Sequence, residues 1–379
     1  MYCSDVSGAF DRVSTERLGK KLRQKGVPTR WVKLFLSWLR ERLAQVVVGG
    51  KRSEVVFLVD QVFQGTVWGP VLWNTFFEDA RQPVKDAGFT EAVYADDLNA
   101  FKAFPGSTAN DTLLQEARAC QHNLHTWGRA NQVAFDASKE SFHVVARAQG
   151  EGGNFKLLGV LFDCKLTMAD AVRETVHEVS WKLRTLVRTA RYHCDSQLVL
   201  LYKSRVLGYL EYRTPALYHA TNTVLANLDK VQDNFLRDLG LTKLQALIQF
   251  NLAPLSTRRD VAMLGLVHRT VLKQGPSHFQ SFFQQRTDEQ QGSTRLARRR
   301  HGKQLQETRT GRFLEVLRRS ALGLAGVYNL LPTEVVAETT VAGFQRLLQN
   351  LLKERATSGC EDWEQTFSPR VPLYLHPLR

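Results

Sequence analysis

The residues best suited to do chemistry lie in Glu91–Phe101, EAVYADDLNAF, where two carboxylates stand side by side at Asp96 and Asp97. Strand-forming runs on either side, Ala92–Tyr94 and Leu98–Phe101, predict a hairpin with the acidic pair at its tight turn. Adjacent carboxylates repel each other, and a divalent cation such as Mg²⁺, which prefers hard oxygen ligands, would remove that repulsion. An ordinary solvated Asp-Asp turn has the same spacing, so this stretch alone does not separate the two readings.

Other candidates stand upstream and downstream of that pair. Asp5 is expected at the carboxyl end of a strand, Tyr2–Val6, in DVSGAFDRV, with Asp11 as a competing carboxylate better suited to a helix start. In QGTVWGPVLW, Gly65 and Gly69 would let the backbone approach another molecule closely, and Pro70 suits the first turn of a helix. Lys139 is expected at the turn between strands Val133–Asp136 and Ser141–Ala146.

The elements that must hold these residues are readable from periodicity and punctuation. Ser14 should cap a helix that Gly26 ends, and Trp31, Leu34, Phe35, Trp38, Leu39 and Leu43 give the next helix an apolar face. Gln45–Val48 and Glu54–Val59 read as strands around Gly49-Gly50, and 111–132 as a long helix. Phe155–Phe162 reads as one strand containing Gly159. From Ala169 the pattern is helical, through 181–192, 197–209, 225–239 and 258–272, then 313–324 and 341–355. Residues 284–303 form a polar, basic linker or arm holding Arg298-Arg299-Arg300-His301, and the last twenty or so residues read as extended.

Composition narrows the class. The chain has 379 residues, 43% hydrophobic and 23% charged, long enough for two or three domains. Its formal net charge of +14 points to a polyanionic partner. The charge is uneven: 19 Lys/Arg against 16 Asp/Glu in residues 1–150, a balance of +3, but 32 against 21 in residues 151–379, a balance of +11. Five scattered cysteines form no CxxC pair or Cys/His cluster, which argues against a disulfide framework or zinc site and for a reducing intracellular compartment, nucleus or cytoplasm, over secretion. No apolar run approaches the ~18 residues of a membrane span. Only four residues precede Asp5, so the sequence reads as one cut at its N-terminus.

Taken together, DVSGAFDRV, QGTVWGPVLW, YADD and FKLLGVLFD (Phe155–Asp163) resemble, in order and spacing, the motif blocks of LINE-type (non-long-terminal-repeat) retrotransposon reverse transcriptases. LEYRTPALY, LDKVQDNFLRDLG, LAPLSTRRD and NLLPTEVV resemble that family's thumb and C-terminal segments. The resemblance implies an α+β fold: a polymerase-type palm (antiparallel sheet with packed helices) over 1–165, an all-helical thumb over 166–283, a basic linker over 284–303 and a C-terminal helical extension over 304–379. It implies RNA-directed DNA polymerase activity using two Mg²⁺ ions, with Mn²⁺ as a substitute, an RNA template, a DNA primer and deoxynucleoside triphosphates. Asp5 and Asp96 would bridge the ions, Asp97 would be more peripheral, and the Val6 carbonyl would be a further ligand. Phe10 would lie under the incoming sugar and exclude a 2′-OH, unless it packs in the core. Gln64 and Gly65 would face the template pair and nucleotide, and Lys139 would protonate the leaving pyrophosphate or simply face solvent. Tyr94 would flank the primer terminus or pack the hairpin. Leu158 and Gly159, in the primer grip, and Arg298, Arg299 and Arg300 would contact primer or template.

The family's fingers region and upstream endonuclease are not found in this sequence. A non-catalytic nucleic-acid-binding remnant is therefore the rival expectation, and a nucleotidyltransferase acting on free nucleotides a third. Bulky Trp68 is also unusual for its block.

Overall fold

The computed structural model describes residues 1–58, 60–148, 150–286, 301–307 and 314–379. They fall into two units, Met1–Phe155 with Cys164–Leu166, and Lys156–Asp163 with Thr167–Arg379.

In the first unit, strand β1 (Tyr2–Ser4) leads to helices α1 (Thr15–Gln24) and α2 (Thr29–Leu39), short strands β2 (Arg42–Ala44), β3 (Val47–Val48), β4 (Lys51–Arg52) and β5 (Val56–Leu58), and helices α3 (Gly69–Phe77) and α4 (Arg81–Asp86). Strands β6 (Thr90–Tyr94) and β7 (Asp97–Phe101), helix α5 (Asn110–Asn131) and strand β8 (Ser141–Phe142) follow. Four strands form one sheet in the order β6-β7-β1-β8, and the pairings of β1 with β7 and β8, and of β6 with β7, are all antiparallel. Strand alternation gives the sheet two chemically different faces. Tyr2, Ser4, Leu98 and Ala100 are buried among α-helical Leu18, Trp73, Phe76 and Leu124, whereas Asp5 and Asp97 belong to the other face.

Helix α1 starts after Ser14, as its sequence predicts, but the Ser14 side chain caps nothing; the Asp60 carboxylate accepts the Thr15 N–H at 3.2 Å instead. Gly49 and Gly50 both have positive φ and close the β3–β4 hairpin, a two-residue turn of the kind those glycines favour. One strand is expected on each side of that turn; the segment instead forms two short pairs, β2 with β5 and β3 with β4. Val46, Val47, Val48, Val56 and Phe57 are all exposed on this ribbon.

The second unit opens with strands β9 (Phe155–Leu157), whose first residue belongs to the first unit, and β10 (Val160–Phe162). The single strand expected over Phe155–Phe162 is thus a hairpin, because Leu158 and Gly159 take φ of 48° and 76° and turn the chain back. A non-glycine left-handed residue at the tip was not foreseen. Helices α6 (Ala169–Arg188), α7 (Asp195–Tyr202), α8 (Gly208–Tyr212), α9 (Thr214–Leu217), α10 (Asn222–Asp238), α11 (Lys243–Phe250), α12 (Leu255–Val271), α13 (Leu314–Arg319), α14 (Leu324–Tyr328), α15 (Thr333–Ala337) and α16 (Val341–Thr357) follow. One apolar cluster gathers α6, α7, α10 and β10 around Tyr202 and Phe235; another gathers α12, α14 and α16 around Tyr328, Phe344 and Phe367. The C-terminal residues are not extended: Trp363–Gln365 and Leu373–Leu375 form 3₁₀ turns, and Phe367 between them is fully buried.

Arg298, Arg299 and Arg300 lie outside the described residues. His301, expected in the same exposed cluster, is buried and bonds the Tyr328 carbonyl through Nε2 at 2.9 Å, which burial favours in the neutral form. Arg286 and Gln304, near the two ends of the expected linker, are joined by a backbone hydrogen bond of 2.8 Å.

Candidate active site

The register of β1 against β7 decides the geometry. Tyr2, Cys3 and Ser4 pair with Ala100, Asn99 and Leu98, so the next residue, Asp5, faces Asp97. Tyr94 pairs with Asp97, leaving Ala95 and Asp96 as the hairpin turn. The acidic pair is therefore split: Asp96 in the turn, Asp97 first in the returning strand. Ala95 has φ of 54°, a left-handed conformation that costs a non-glycine residue energy, and the Trp73 indole N–H donates to its carbonyl at 3.0 Å. Trp73 is fully buried and stacks on Phe77 and Phe10 at 4.9 and 6.0 Å between ring centroids. One residue of the QGTVWGPVLW block thus holds the hairpin turn and touches the Phe10 ring.

Like charges crowd this face. Burial raises the Asp97 carboxyl above the usual aspartate range, and the charges of Asp5 and Asp96 and a hydrogen bond shared with Asp5 raise it further. Lys139 opposes them: its ammonium donates to Asp5 Oδ2 at 2.6 Å, and that bond and charge raise its own pKa. The lysine is placed by a tight turn in which Ser138 donates its N–H and hydroxyl to Asp136 Oδ1, and Lys139 N–H donates to the Asp136 carbonyl. Asp136 N–H in turn donates to the Asp5 carbonyl at 3.0 Å. Val6 pairs with Phe135 at a position that uses neither of its own backbone groups, since the flanking bonds run from Asp136 to Asp5 and from Ser7 to Ala134. Its carbonyl is thus left out of that bridge.

These donors fit Mg²⁺ in type: carboxylates of Asp5, Asp97 and Asp96 and the Val6 carbonyl are hard oxygens, and the crowding that raises Asp97 is what a cation relieves. Among the described residues no group of three or more His, Cys, Asp or Glu is close enough to hold a metal ion. Mg²⁺ is commonly held by one or two carboxylates, completed by water and substrate phosphate.

Phe10 is half-buried, with its ring near Gly69 as well as Trp73. Gly69 is required by space: a Cβ there would stand 2.8 Å from the Phe63 carbonyl oxygen. Gly65 is required by backbone instead, with φ of 79° and open space around it; Gln64 beside it is exposed. Trp68 is also exposed and packs edge-on against Phe35 at 5.0 Å. Tyr94 is two-thirds exposed, and Asp11 lies exposed in the 3₁₀ turn Ala9–Arg12. In the second unit, exposed Leu158 offers its carbonyl to the Tyr212 hydroxyl at 2.7 Å, beside Gly159.

Sequence reasoning missed Glu140. Its nearly buried carboxylate bonds Tyr2 Oη, Gln121 Nε2 and His125 Nε2, the last two at 2.9 and 2.8 Å. It follows Lys139 and ties β1, which leads into Asp5, to α5. Glu140→Ala is expected to destabilise the fold by about 2–3 kcal/mol in chemical denaturation, because three polar groups lose their partner together. Glu140→Gln should recover part of that loss.

An antiparallel sheet backed by helices, with carboxylates meeting where one strand ends and a hairpin turns, is the arrangement of a polymerase palm. Residues 1–162 match the family described as reverse transcriptase (RNA-dependent DNA polymerase). The chain is 27% identical over 255 residues to the RNA-directed DNA polymerase from mobile element jockey of Drosophila funebris, covering 62% of this chain and 28% of that protein. The protein of the same description from Drosophila melanogaster is 28% identical over 202 residues, covering 47% and 22%. The chain thus spans about a quarter of the length of these curated relatives. These similarities support a reverse-transcriptase domain in residues 1–162, of the kind carried by the mobile element jockey.

Proposed function

We propose that this chain extends a DNA primer on an RNA template, and the observation that carries the reading is the pairing register that sets Asp5 across from Asp97, with Lys139 on Asp5. Asp5, Asp96, Asp97 and the Val6 carbonyl would hold two Mg²⁺ ions, or Mn²⁺ in their place. Bound there, the ions supply the positive charge that acidifies a primer hydroxyl and stabilises a departing pyrophosphate. Lys139 holds a proton at Nζ, and Asp5 raises its affinity for that proton, which suits it to charge stabilisation and to protonating the leaving group. Gln64, Gly65 and Tyr94, all exposed, are available to the template pair, nucleotide and primer end.

Residues 1–165 serve as the palm in this reading, 166–283 as a thumb with Leu158 and Gly159 as the primer grip before it, 284–303 as a basic linker whose Arg298, Arg299 and Arg300 contact primer or template, and 304–379 as a helical extension. Nucleus or cytoplasm is the proposed location. No helix among the described residues is long and apolar enough to cross a membrane.

The test is primer extension on an RNA template with Mg²⁺ and deoxynucleotides, by residues 1–379 and by a chimera carrying a mobile-element relative's preceding region. Extension by either supports the proposal. Primer–template binding without extension by both supports the rival reading of a silent nucleic-acid-binding protein. In whichever protein is active, Phe10→Val is expected to raise ribonucleotide over deoxynucleotide incorporation about tenfold or more, the effect of relieving one steric clash worth ~1.4 kcal/mol. An unchanged ratio with activity retained would make Phe10 a packing residue.

A further inference from the structure

We propose that the groove between α6 and α10 binds an acidic amphipathic helix of a partner protein, an inference independent of the polymerase reading. The two helices pack side by side in the second unit and leave a cavity of about 890 Å³ along their seam. Its floor is apolar: Val172, Leu183 and Val231 are buried, and Val176 and Val224 are half-buried beside them. On α10 the lining residues Val224, Asn227, Val231, Asn234 and Asp238 recur at helical spacing over about 21 Å, the length of a four-turn ligand helix.

The rim selects the sign of the partner's charge. Arg173, Arg184, Arg188 and Lys230 line the cavity against one acid, Asp238. Arg173 is engaged by Asp170 at 2.9 Å, but Arg188 and Lys230 have no ion-pair partner among the described residues. Apolar residues at i, i+3, i+4 and i+7 would enter the valine floor while flanking glutamates reach these cations. A nucleic-acid backbone fits less well, because a phosphate chain has no apolar face to set against the valines.

The probe is a fluorescent 14-residue helical peptide with Leu at i, i+3, i+4 and i+7 and Glu on its flanks, titrated with the full chain by anisotropy. Val176→Asp is expected to weaken binding at least tenfold, with circular dichroism melting as the folding control. The exposed double change Arg188→Glu with Lys230→Glu should weaken it comparably, and a Lys-flanked version of the peptide should recover binding to that variant. Equal binding of a scrambled peptide would overturn the proposal. So would unchanged affinity in the charge-reversed protein, or displacement of the peptide by an RNA–DNA duplex whose own affinity falls equally in both variants.

Discussion

Asp97→Asn is expected to reduce RNA-templated primer extension by about 10²–10³-fold, the usual cost of removing one preorganised electrostatic group, while making the free protein harder to unfold. The two effects have one cause. Asp97 faces Asp5 across the sheet and feels the charge of Asp96, so its carboxyl is raised by burial and by like charges together. Like charges directly opposite in a sheet destabilise it by about 0.2–1 kcal/mol, and the substitution removes one of them. The pH dependence follows in sign. A group whose folded pKa is raised contributes stability in acid and loses it as pH rises through the folded value. The gain from Asp97→Asn should therefore be present at neutral pH and vanish in acid. Binding of a divalent cation, read by quenching with Mn²⁺, should weaken as pH falls through the raised value, because proton and cation compete for the same oxygens. Asp96→Asn separates roles: Asp96 is in the turn and not across from Asp5, so it should impair extension with a smaller stability gain. An active Asp97→Asn protein would remove Asp97 from the chemistry.

Much of this site was legible because its parts are local. The hairpin, the strand-end aspartate and the lysine turn are each set by residues within a few positions of one another. What short stretches do not reveal is register. Whether Asp96 or Asp97 faces Asp5 depends on one residue of turn length, and a slip of one moves every side chain to the other face. Glu140 was invisible for a related reason: its partner Tyr2 is 138 residues away, and no local pattern announces a buried carboxylate. The Leu158-Gly159 turn was masked by a continuous apolar run, and His301 by three arginines that made it look solvent-facing. Helix α11 was legible and overlooked, since Thr242 and Gln245 form a capping box at its start.

Binding of an RNA–DNA duplex by the full chain is expected to fall by about 10³–10⁵ between 50 and 200 mM salt, if six to ten phosphates are neutralised. The argument rests on where the charge lies. The first 150 residues are nearly balanced, 19 basic against 16 acidic, and several of those cations are committed: Lys21 to Asp79, Lys102 to Glu116, Lys139 to Asp5. Residues 151–379 carry 32 basic against 21 acidic, and a surplus of that size attracts counterions until a polyanion displaces them. Removing one cation that neutralises a phosphate should make the slope of log K against log salt shallower by about 0.9. Neutralising exposed Arg191, Arg205 and Arg269 should therefore flatten the slope by up to about 2.7. Neutralising exposed Lys20, Arg23 and Arg40 in the first unit should change it much less. A salt-insensitive affinity, or equal flattening by both triplets, would mean that the surplus charge is not what holds the duplex.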